Sequence, residues 1–462
     1  MKGWTLHVKH LGKIKEADIR IAPLTLFIGD NNSGKSYIMT VLYGLLNVRF
    51  YYDHYQIRED GEAYRKCLGI LEKILDTVDR DTRGAYVVSG DEIQCFQCLL
   101  NEILLENKDK FLQQFFRKEM SCGQLSVEFP EDYQAEIRVK KTLNEENRPE
   151  EVSIAVCEDA GTRMTGFRIN VHEKKEDDDR AFLIVGILQS LLRKGFRNLQ
   201  SASTIYMPTA RTGFLLTYKA IIGEALKQRF GEETADLALL TRPTSDFLQI
   251  LSSMNVEEQM HTHDEVLRYI EENMIRGKID ISNLPAHDIL YTPVGEDKQL
   301  PMYVSSAVVT EVAPLIMFLR YTKVASLLIE EPEISLHPSL QCVMANVLLR
   351  LVHAGVPVFA TTHSDLILQQ INNAIKLTAL AGKNKESLLE EMGIEEAELL
   401  DPEEMAVYQF EVGENGKTTV QAAARTEYGF EAGTFFNMLK KLSDQTMHIE
   451  EGMDDSQCLT RD

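Results

Sequence analysis

The stretch that decides the fold is Gly29-Asp30-Asn31-Asn32-Ser33-Gly34-Lys35-Ser36, an eight-residue turn in a chain of 462 residues. The apolar run Leu24–Ile28 directly before it predicts a buried strand. After it, apolar residues recur at helical spacing from Ile38 to Leu46, which predicts a helix with one face against a sheet. A glycine-rich turn between a strand and a helix is typical of a phosphate-binding loop.

The spacing of this loop, G-x-x-x-x-G-K-S, has a specific chemistry. Glycine permits the backbone to wrap so that successive N–H groups face phosphate oxygens, and the N-terminus of the following helix adds a partial positive charge. Lys35 is then expected to neutralise the β- and γ-phosphates, and the Ser36 hydroxyl to bind Mg²⁺. The loop therefore predicts ATP and Mg²⁺ as ligands, with Gly29–Ser36 as the nucleotide-binding residues.

Two acids end a second apolar strand in the sequence Leu327-Leu328-Ile329-Glu330-Glu331-Pro332-Glu333. A buried strand would hold Glu330 beside Mg²⁺ and would place Glu331 to orient or deprotonate an attacking water. Taken alone, the same pattern also fits a surface acidic cluster after a strand, so both interpretations stay open at this point.

Two further features are ambiguous by themselves. Ser305 and Ser306 precede a predicted helix (307–321), where they fit either an anion site at the helix N-terminus or an ordinary N-cap. His363 follows the next predicted strand, 356–360, at the end where open parallel sheets bind ligands, and a structural histidine is the alternative. The order of phosphate loop, serines, acids and histidine along the chain favours a single site.

This set of motifs in this order resembles the ABC ATPase superfamily, and GDNNSGKS, IEEPEISLHP and TTHSD look like its SMC/RecF/OLD branch. The resemblance implies that Ser305 and Ser306 contact the γ-phosphate held by a second subunit. It also implies that Ser335–Pro338 is the D-loop and that His363 is the switch histidine. The segment YMPTARTGFLLTYK (206–219) is similar to stand-alone AAA-type ATPases of prokaryotic anti-phage systems, Septu-like or PARIS-like, without the TOPRIM domain of OLD proteins.

The sequence departs from the family pattern in several respects. Ala307 stands where the signature usually has glycine, and Glu330 replaces the more usual aspartate. The family's Q-loop glutamine has no clear match, and Gln94 and Gln97 are candidates by position. Arg211 is expected either to line the nucleotide or partner site or to form a structural salt bridge.

The pattern of elements predicts an α/β fold: an ABC ATPase head with a mainly parallel phosphate-loop sheet, an antiparallel N-terminal β-subdomain and a helical and β insertion. Both ends of the chain are expected to form the head, because loop-closure entropy grows slowly with length and tolerates a long insertion. The expected divisions are the phosphate-loop part (1–50), the insertion (51–200), a helical part of the head (201–285), the part with signature, acids and histidine (286–447) and a disordered tail (448–462).

The composition limits the partners. The formal net charge is −22 at pH 7, so self-repulsion opposes general binding to nucleic acid and leaves only a local basic surface to contact it. No run of about 18 apolar residues occurs and no apolar leader follows Met1, which predicts no membrane partner and no secretion signal. Seven cysteines, an odd number in a large chain, favour reduced thiols and a cytoplasmic location.

The expected function is hydrolysis of ATP to ADP and phosphate, which drives a head-to-head homodimer or a higher oligomer. The expected biological role is the ATPase or sensor subunit of an anti-phage system that controls a separate effector, a nuclease or a toxin. One alternative is a DNA-repair or chromosome-maintenance ATPase, which the charge and the missing heptads disfavour. A transporter subunit is disfavoured by the acidic motif and the insertion, and a nucleotide-gated scaffold without turnover stays open.

Two smaller motifs have structural interpretations. Cys95 and Cys98 lie in a predicted helix without a second cysteine pair, so they are expected to be core-facing thiols. His261 and His263 have no companion ligands at a metal-binding spacing and are expected to lie in a polar loop.

Overall fold

The computed structural model of the chain describes residues 3–50, 54–77, 83–143, 149–157, 164–170, 176–193, 202–230, 240–282, 288–426, 429–431 and 441–450. The strands in these ranges are Thr5–Leu11 (β1), Ile14–Arg20 (β2), Leu24–Gly29 (β3), Arg83–Val88 (β4), Gln124–Glu128 (β5), Ala135–Leu143 (β6), Pro149–Cys157 (β7), Met164–Asn170 (β8), Ser203–Met207 (β9), Gly277–Ile281 (β10), Ile289–Pro293 (β11), Leu300–Pro301 (β12), Val324–Glu330 (β13), Val358–Thr361 (β14), Met405–Val412 (β15), Thr418–Ala422 (β16), Arg425–Thr426 (β17) and Gly429–Phe430 (β18).

The α-helices in the same ranges are Lys35–Asn47 (α1), Glu62–Asp76 (α2), Gly90–Phe116 (α3), Glu176–Leu192 (α4), Arg211–Phe230 (α5), Arg242–Ser253 (α6), Asp264–Ile270 (α7), Ala307–Tyr321 (α8), Pro338–His353 (α9), Asp365–Ala379 (α10), Lys383–Met392 (α11) and 441–450 (α12). A π-helical turn, Glu271–Ile275, continues α7.

The largest sheet has the strand order β5-β1-β2-β16-β15-β3-β14-β13-β9. All neighbours from β15 to β9 are parallel, whereas β5, β1 and β2 pair antiparallel at the opposite side. The prediction of an α/β fold with a large, mostly parallel sheet is confirmed.

Alternate residues of the central strands enter opposite hydrophobic cores. In β3, Leu26 and Ile28 belong to one core and Phe27 to the other. The strands β13 and β14 follow the same rule, because successive side chains of a strand point to opposite faces. Helices α8, α9 and α10 pack in the first core and α1 and α3 in the second, which explains why these strands are apolar throughout.

The parallel strands end at one edge of the sheet. Glu330 of β13 aligns with Thr361 of β14, and Thr361 aligns with Phe27 of β3. The segments that follow these strands are therefore neighbours: the phosphate loop after β3, the acids after β13 and His363 after β14. Strand register, and not nearness in the sequence, brings these segments together.

Each expected division within residues 1–447, including the insertion, contributes at least one strand to the largest sheet. The strand β5, within residues 51–200, pairs with β1 and extends the antiparallel end. The strand β9, within residues 201–285, pairs with β13 and forms the other end. Elsewhere in the insertion, β4, β6, β7 and β8 form a separate antiparallel sheet against α2 and α4.

The end of the chain differs from its expectation. Residues 441–450 form an exposed helix, so residues 448–450 of the predicted disordered tail are helical, and residues 451–462 lie outside the described ranges. The helix described from Lys441 simply continues for three residues beyond the predicted start of the tail. Within the described ranges, no helix combines the length and the apolarity that crossing a bilayer requires.

Candidate nucleotide site

The phosphate loop joins β3 to α1, and three of its residues have a positive φ angle. The φ angles are 121° at Gly29, 55° at Asn32 and 98° at Gly34. Gly34 is the N-cap residue of α1, and it provides no side-chain hydrogen bond to the first turn of that helix. A helix N-terminus without a side-chain cap is suited to an anion, because its N–H groups and its dipole both attract negative charge.

Gly29 is confined by the neighbouring strand β15. A Cβ atom at this position would lie 2.2 Å from the carbonyl oxygen of Phe410 and 2.8 Å from its amide nitrogen. The contact continues at Asp30, whose N–H donates to the Phe410 oxygen at 3.2 Å and whose carboxylate accepts from the Val412 N–H at 3.3 Å. The backbone of Phe410 thus determines where the loop begins, a constraint that the sequence motif does not reveal.

Lys35 is buried at the base of the loop, with 6% of its surface exposed. Its Nζ donates to the carbonyl oxygens of Gly29 at 3.0 Å and of Asp30 at 2.7 Å. Burial lowers the pKa of Lys35 to about 8, although nearby acids, Glu331 first among them, oppose the shift. An ammonium group held between oxygens in this way can exchange them for phosphate oxygens.

Glu330 ends β13 and is buried. Its Oε2 accepts hydrogen bonds from the backbone N–H of Thr209 at 3.3 Å and from the Thr209 hydroxyl at 3.1 Å. Burial, and then the negative charge of Glu330, raise the pKa of the neighbouring Tyr206 hydroxyl. Oε1 of Glu330 is buried, and no described residue donates a hydrogen bond to it. A buried carboxylate oxygen without a donor is uncommon, and a bound cation would satisfy it.

Glu331 follows with a left-handed backbone, φ 44°. Its N–H donates to the carbonyl oxygen of Thr361 at 2.9 Å, and its Oε1 lies 3.7 Å from Nε2 of His363. Burial and the charge of Glu330 raise the pKa of Glu331, while Lys35 opposes the rise. Burial, and then Lys35, lower the pKa of His363. A half-buried acid with a raised pKa beside a neutral imidazole is suited to accept a proton from water.

Glu333 has a role that the sequence did not suggest. Its Oε1 accepts a hydrogen bond from the backbone N–H of His363 at 2.6 Å. Burial raises the pKa of Glu333, and the bond from His363 opposes that rise. Glu333 therefore ties the acidic loop after β13 to the histidine loop after β14. Its place two residues after Glu331 was the available signal in the sequence.

Arg211 begins α5 and forms the buried salt bridge that was one of its two expected roles. Its Nη2 lies 2.5 Å from Oε1 of Glu311 in α8, with 1% and 2% of the side chains exposed. The same guanidinium donates to the carbonyl oxygens of Glu330 at 2.6 Å and of Glu331 at 3.0 Å. Arg211 thus contacts the backbone of both acids and does not line an open surface.

Ser305 and Ser306 lie at the start of α8. Ser306 is the exposed N-cap residue, and its hydroxyl accepts from the Val309 N–H at 3.4 Å. Ser305 is half-buried and donates to the Pro301 carbonyl oxygen at 3.2 Å. Within the described part of the chain, no hydrogen bond or ion pair joins either serine to the phosphate loop. Ser306 and the neighbouring Tyr303, which is 77% exposed, are accessible to a second molecule.

The other residues of the phosphate loop differ in exposure. Asp30, Asn31, Asn32 and Ser36 are exposed, so the Ser36 hydroxyl is open to a ligand, whereas Ser33 is buried. The expected D-loop, 335–338, leads into α9. Nδ1 of His337 accepts a hydrogen bond from the Ser339 N–H in the first turn of that helix.

The two candidates for the Q-loop glutamine both lie in α3. Oε1 of Gln97 accepts a hydrogen bond from the Phe129 N–H at 2.5 Å, next to the end of β5, and Gln94 and Gln97 both remain candidates by position. Cys95 is half-buried but Cys98 is exposed, so the expectation of two core-facing thiols is wrong for Cys98. Three residues turn a helix by about 300°, which moves Cys98 past the limit of the buried face.

The prediction that His261 and His263 lie in a polar loop is correct for His261 and wrong for His263. His261 is exposed and pairs with Asp264 at 3.0 Å. His263 is only 2% exposed, because it is the N-cap residue of α7, a helix whose apolar face is buried.

Comparison with known proteins yields one family and a set of structural neighbours. A family model described as an AAA ATPase domain matches residues 1–200 and 217–368. A search of curated protein sequences yields no match. An SMC head domain from Thermotoga maritima is similar over 92% of this chain and 100% of its own, with 9% identity and a TM-score of 0.33. An SMC head solved with the C-winged helix domain of ScpA is similar over 91% of this chain and 97% of its own, with 11% identity and a TM-score of 0.35. Because the family match spans well over half of its length, the chain belongs to the AAA ATPase domain family.

Proposed function

We propose that this protein is an ABC-type ATPase whose hydrolytic site is completed by a second copy of the chain. The observation that carries the proposal is the convergence of Lys35, Glu330, Glu331 and His363 at one edge of the sheet. These groups are close enough that Lys35 alters the pKa of both Glu331 and His363. Opposed charges gathered around a phosphate loop are the arrangement that phosphoryl transfer needs.

A magnesium nucleotide fits the residues that are present, on two observations. The N-terminus of α1 has no side-chain cap, and Glu330 Oε1 is buried without a donor among the described residues. Gly29–Ser36 would hold the phosphates, and Ser36 and Glu330 would hold Mg²⁺. When bound, the metal would neutralise charge on the β- and γ-phosphates.

The protein's own groups divide the remaining work. Lys35 exchanges its two carbonyl partners for phosphate oxygens and fixes the triphosphate. A water oxygen attacks the γ-phosphorus, the bond to the ADP oxygen breaks, and the proton of the water passes to Glu331. The raised pKa of Glu331 makes it a stronger base than an ordinary glutamate. His363, largely neutral because burial lowers its pKa, stabilises the γ-phosphate by hydrogen bonding.

A second copy supplies what the lone chain lacks. Its α8 N-terminus docks over the γ-phosphate, where Ser305 and Ser306 donate their hydroxyls and the helix dipole adds positive potential. Docking excludes water, which strengthens every charged contact in the site. ATP thereby favours the closed dimer, and hydrolysis favours its release.

The phosphate loop is tested first. Lys35→Ala is expected to abolish binding of a fluorescent ATP analogue at equilibrium, because the buried cation at the base of the loop is lost. Lys441→Ala, in the exposed helix α12, removes an equal charge elsewhere and should bind as the wild type does. Unchanged affinity in Lys35→Ala would refute the loop assignment.

The role of Glu331 is tested by its amide. Glu331→Gln keeps the shape but removes the base, so the ATP-bound dimer is expected to accumulate, seen as an ATP-dependent doubling of mass by light scattering. Glu390→Gln, on the exposed face of α11, is the matched control. If Glu331→Gln remains a monomer with ATP, the dimer mechanism fails.

Complementation tests whether the site is shared. Lys35→Ala and Ser306→Arg should each be inactive, but their equimolar mixture should recover about a quarter of wild-type activity, since half of the random pairs are mixed and each holds one complete site. Ser89→Arg removes an exposed N-cap serine of α3 and controls for the loss of a cap. A mixture as inactive as its components would show that no second copy contributes.

For the biological role, we propose an ATPase or sensor subunit that controls a separate effector protein in an anti-phage system. The support is the resemblance of residues 206–219 to ATPases of such systems. Purification of the tagged chain with the products of adjacent genes tests it. A nuclease or toxin that elutes in an ATP-dependent manner supports the proposal, and a repair or recombination protein in its place overturns it in favour of the DNA-repair alternative.

A further inference from the structure

The buried pair Arg211–Glu311 links two parts of the proposed site that lie on different elements. Arg211 begins α5, Glu311 belongs to α8, and the two charged atoms are 2.5 Å apart. The hydroxyl of Thr212 donates to Oε2 of Glu311, whereas Oε1 has the ion pair with Arg211 and no hydrogen-bond donor among the described residues. Two charges withdrawn from water contribute little to stability by themselves, so a role in positioning is the better explanation for them.

On one side, the pair holds the backbone of the acids. Arg211 donates to the carbonyl oxygens of Glu330 at 2.6 Å and Glu331 at 3.0 Å. The guanidinium is planar and its N–H groups have fixed directions, so the two carbonyls cannot move independently of it. Because Glu331 has a positive φ of 44°, it needs such support to keep its orientation.

On the other side, the pair is rigidly connected to the accessible end of α8. Glu311 lies about one and a half helical turns after the N-cap residue Ser306. The Thr310 hydroxyl donates to the carbonyl oxygens of Ser306 at 3.4 Å and Ala307 at 3.0 Å, which links this side chain to the first turn. From Val309 onward the helix is buried, and its backbone hydrogen bonds make it a rigid unit, so we expect a displacement at Ser306 to move Glu311 as well.

We propose that Arg211 is a positioning residue, through which docking of a second copy at Ser306 adjusts the orientation of Glu331 in the same chain. The inference rests on the proposed function and deepens it: each subunit senses at its own α8 that a partner has arrived and aligns its own acid for hydrolysis. Breaking the pair should therefore leave nucleotide binding and dimerisation intact and should uncouple them from turnover.

The test compares two charge-neutralising variants, each of which breaks an ion pair that includes one residue of α8. Glu311→Gln removes the charge opposite Arg211. Glu271→Gln removes one of two charges opposite Arg320, which lies in the last turn of α8 and also pairs with Asp280 at 3.4 Å; the Glu271 and Arg320 side chains are 15% and 11% exposed. Both variants lose a largely buried ion pair of α8, but only the first pair contacts the backbone of the acids. The measurements are kcat and KM for ATP, specific activity against protein concentration, and mass by light scattering with ATP.

For Glu311→Gln, KM should stay within about twofold of wild type while kcat falls at least about tenfold. Its ATP-dependent dimer, measured in a Glu331→Gln background, should persist. For Glu271→Gln, kcat should stay within about twofold of wild type. Arg211→Lys retains the charge but not the planar fork, so it should show the same loss of kcat, and it decides the question if Glu311→Gln does not fold.

Three results would overturn the inference. Equal losses of kcat in Glu311→Gln and Glu271→Gln would reduce the pair to general support of α8. Loss of the dimer together with kcat in Glu311→Gln would assign the pair to docking. A kcat of Glu311→Gln within about twofold of wild type would remove the coupling alone, whereas wild-type specific activity that is independent of protein concentration would remove the proposed dimer function itself.

Discussion

Replacement of Gly29 by alanine is expected to lower the free energy of unfolding by two contributions: backbone strain at a positive φ and a steric clash with Phe410. A residue with a side chain at φ 121° carries a strain of about 1–3 kcal/mol. The added Cβ would also lie 2.2 Å from the Phe410 carbonyl oxygen, so one of the two strands must move by about 1 Å to reach ordinary contact. The strand β15 is paired on both sides, by β3 and β16, and cannot yield freely. Overpacking of this kind adds about 1–3 kcal/mol, for a total of about 4 kcal/mol.

A second glycine separates the two contributions. Gly416, in the turn that follows β15, has φ 72°, but a Cβ there would meet no atom within 4 Å. Gly416→Ala therefore carries backbone strain alone and should lose about 1–2 kcal/mol. The free energy of unfolding is measured by urea denaturation of the nucleotide-free proteins. If Gly29→Ala lies within about 1 kcal/mol of Gly416→Ala, the close approach to Phe410 does not constrain the loop and the reasoning is wrong.

The remaining predictions concern three separate groups. Glu333→Ala should lower kcat, and it should lower the free energy of unfolding by about 1–3 kcal/mol, because the N–H of His363 loses its acceptor. A kcat equal to that of the wild type would contradict the link between the loops. The affinity for ATP, titrated in EDTA, should be highest below pH 8 and should weaken above it by up to about tenfold per pH unit. The reason is that the pKa of Lys35 is about 8 in the free protein and that phosphate favours its charged form. Lys35→Arg should flatten the profile. Iodoacetamide should label Cys98 but not Cys67 in the folded protein, because burial raises the pKa of the Cys67 thiol, and equal labelling by mass spectrometry would contradict the packing of α2.

Much of the site was predictable because each of its parts has a local signature. The phosphate loop, the acids and His363 each follow an apolar strand, and strands of that kind reach the same edge of a parallel sheet. The class of fold followed from the same alternation of apolar strands and helices. The exposure of Cys98 beside a half-buried Cys95 was not predictable, because residues three positions apart on a helix can lie on either side of the boundary of its buried face.

By itself the sequence determined which backbone segments could bind phosphate and carry the acids, since glycine freedom, strand periodicity and helix starts are properties of a few consecutive residues. Only the tertiary structure decided what supports them. Phe410 limits Gly29 from a strand near the other end of the chain, Glu333 holds the N–H of His363, and Arg211 connects α8 to the acids. These contacts join residues from about 30 to about 380 positions apart, and no local pattern encodes such a pairing because it depends on strand register and on which buried charges meet when the layers pack.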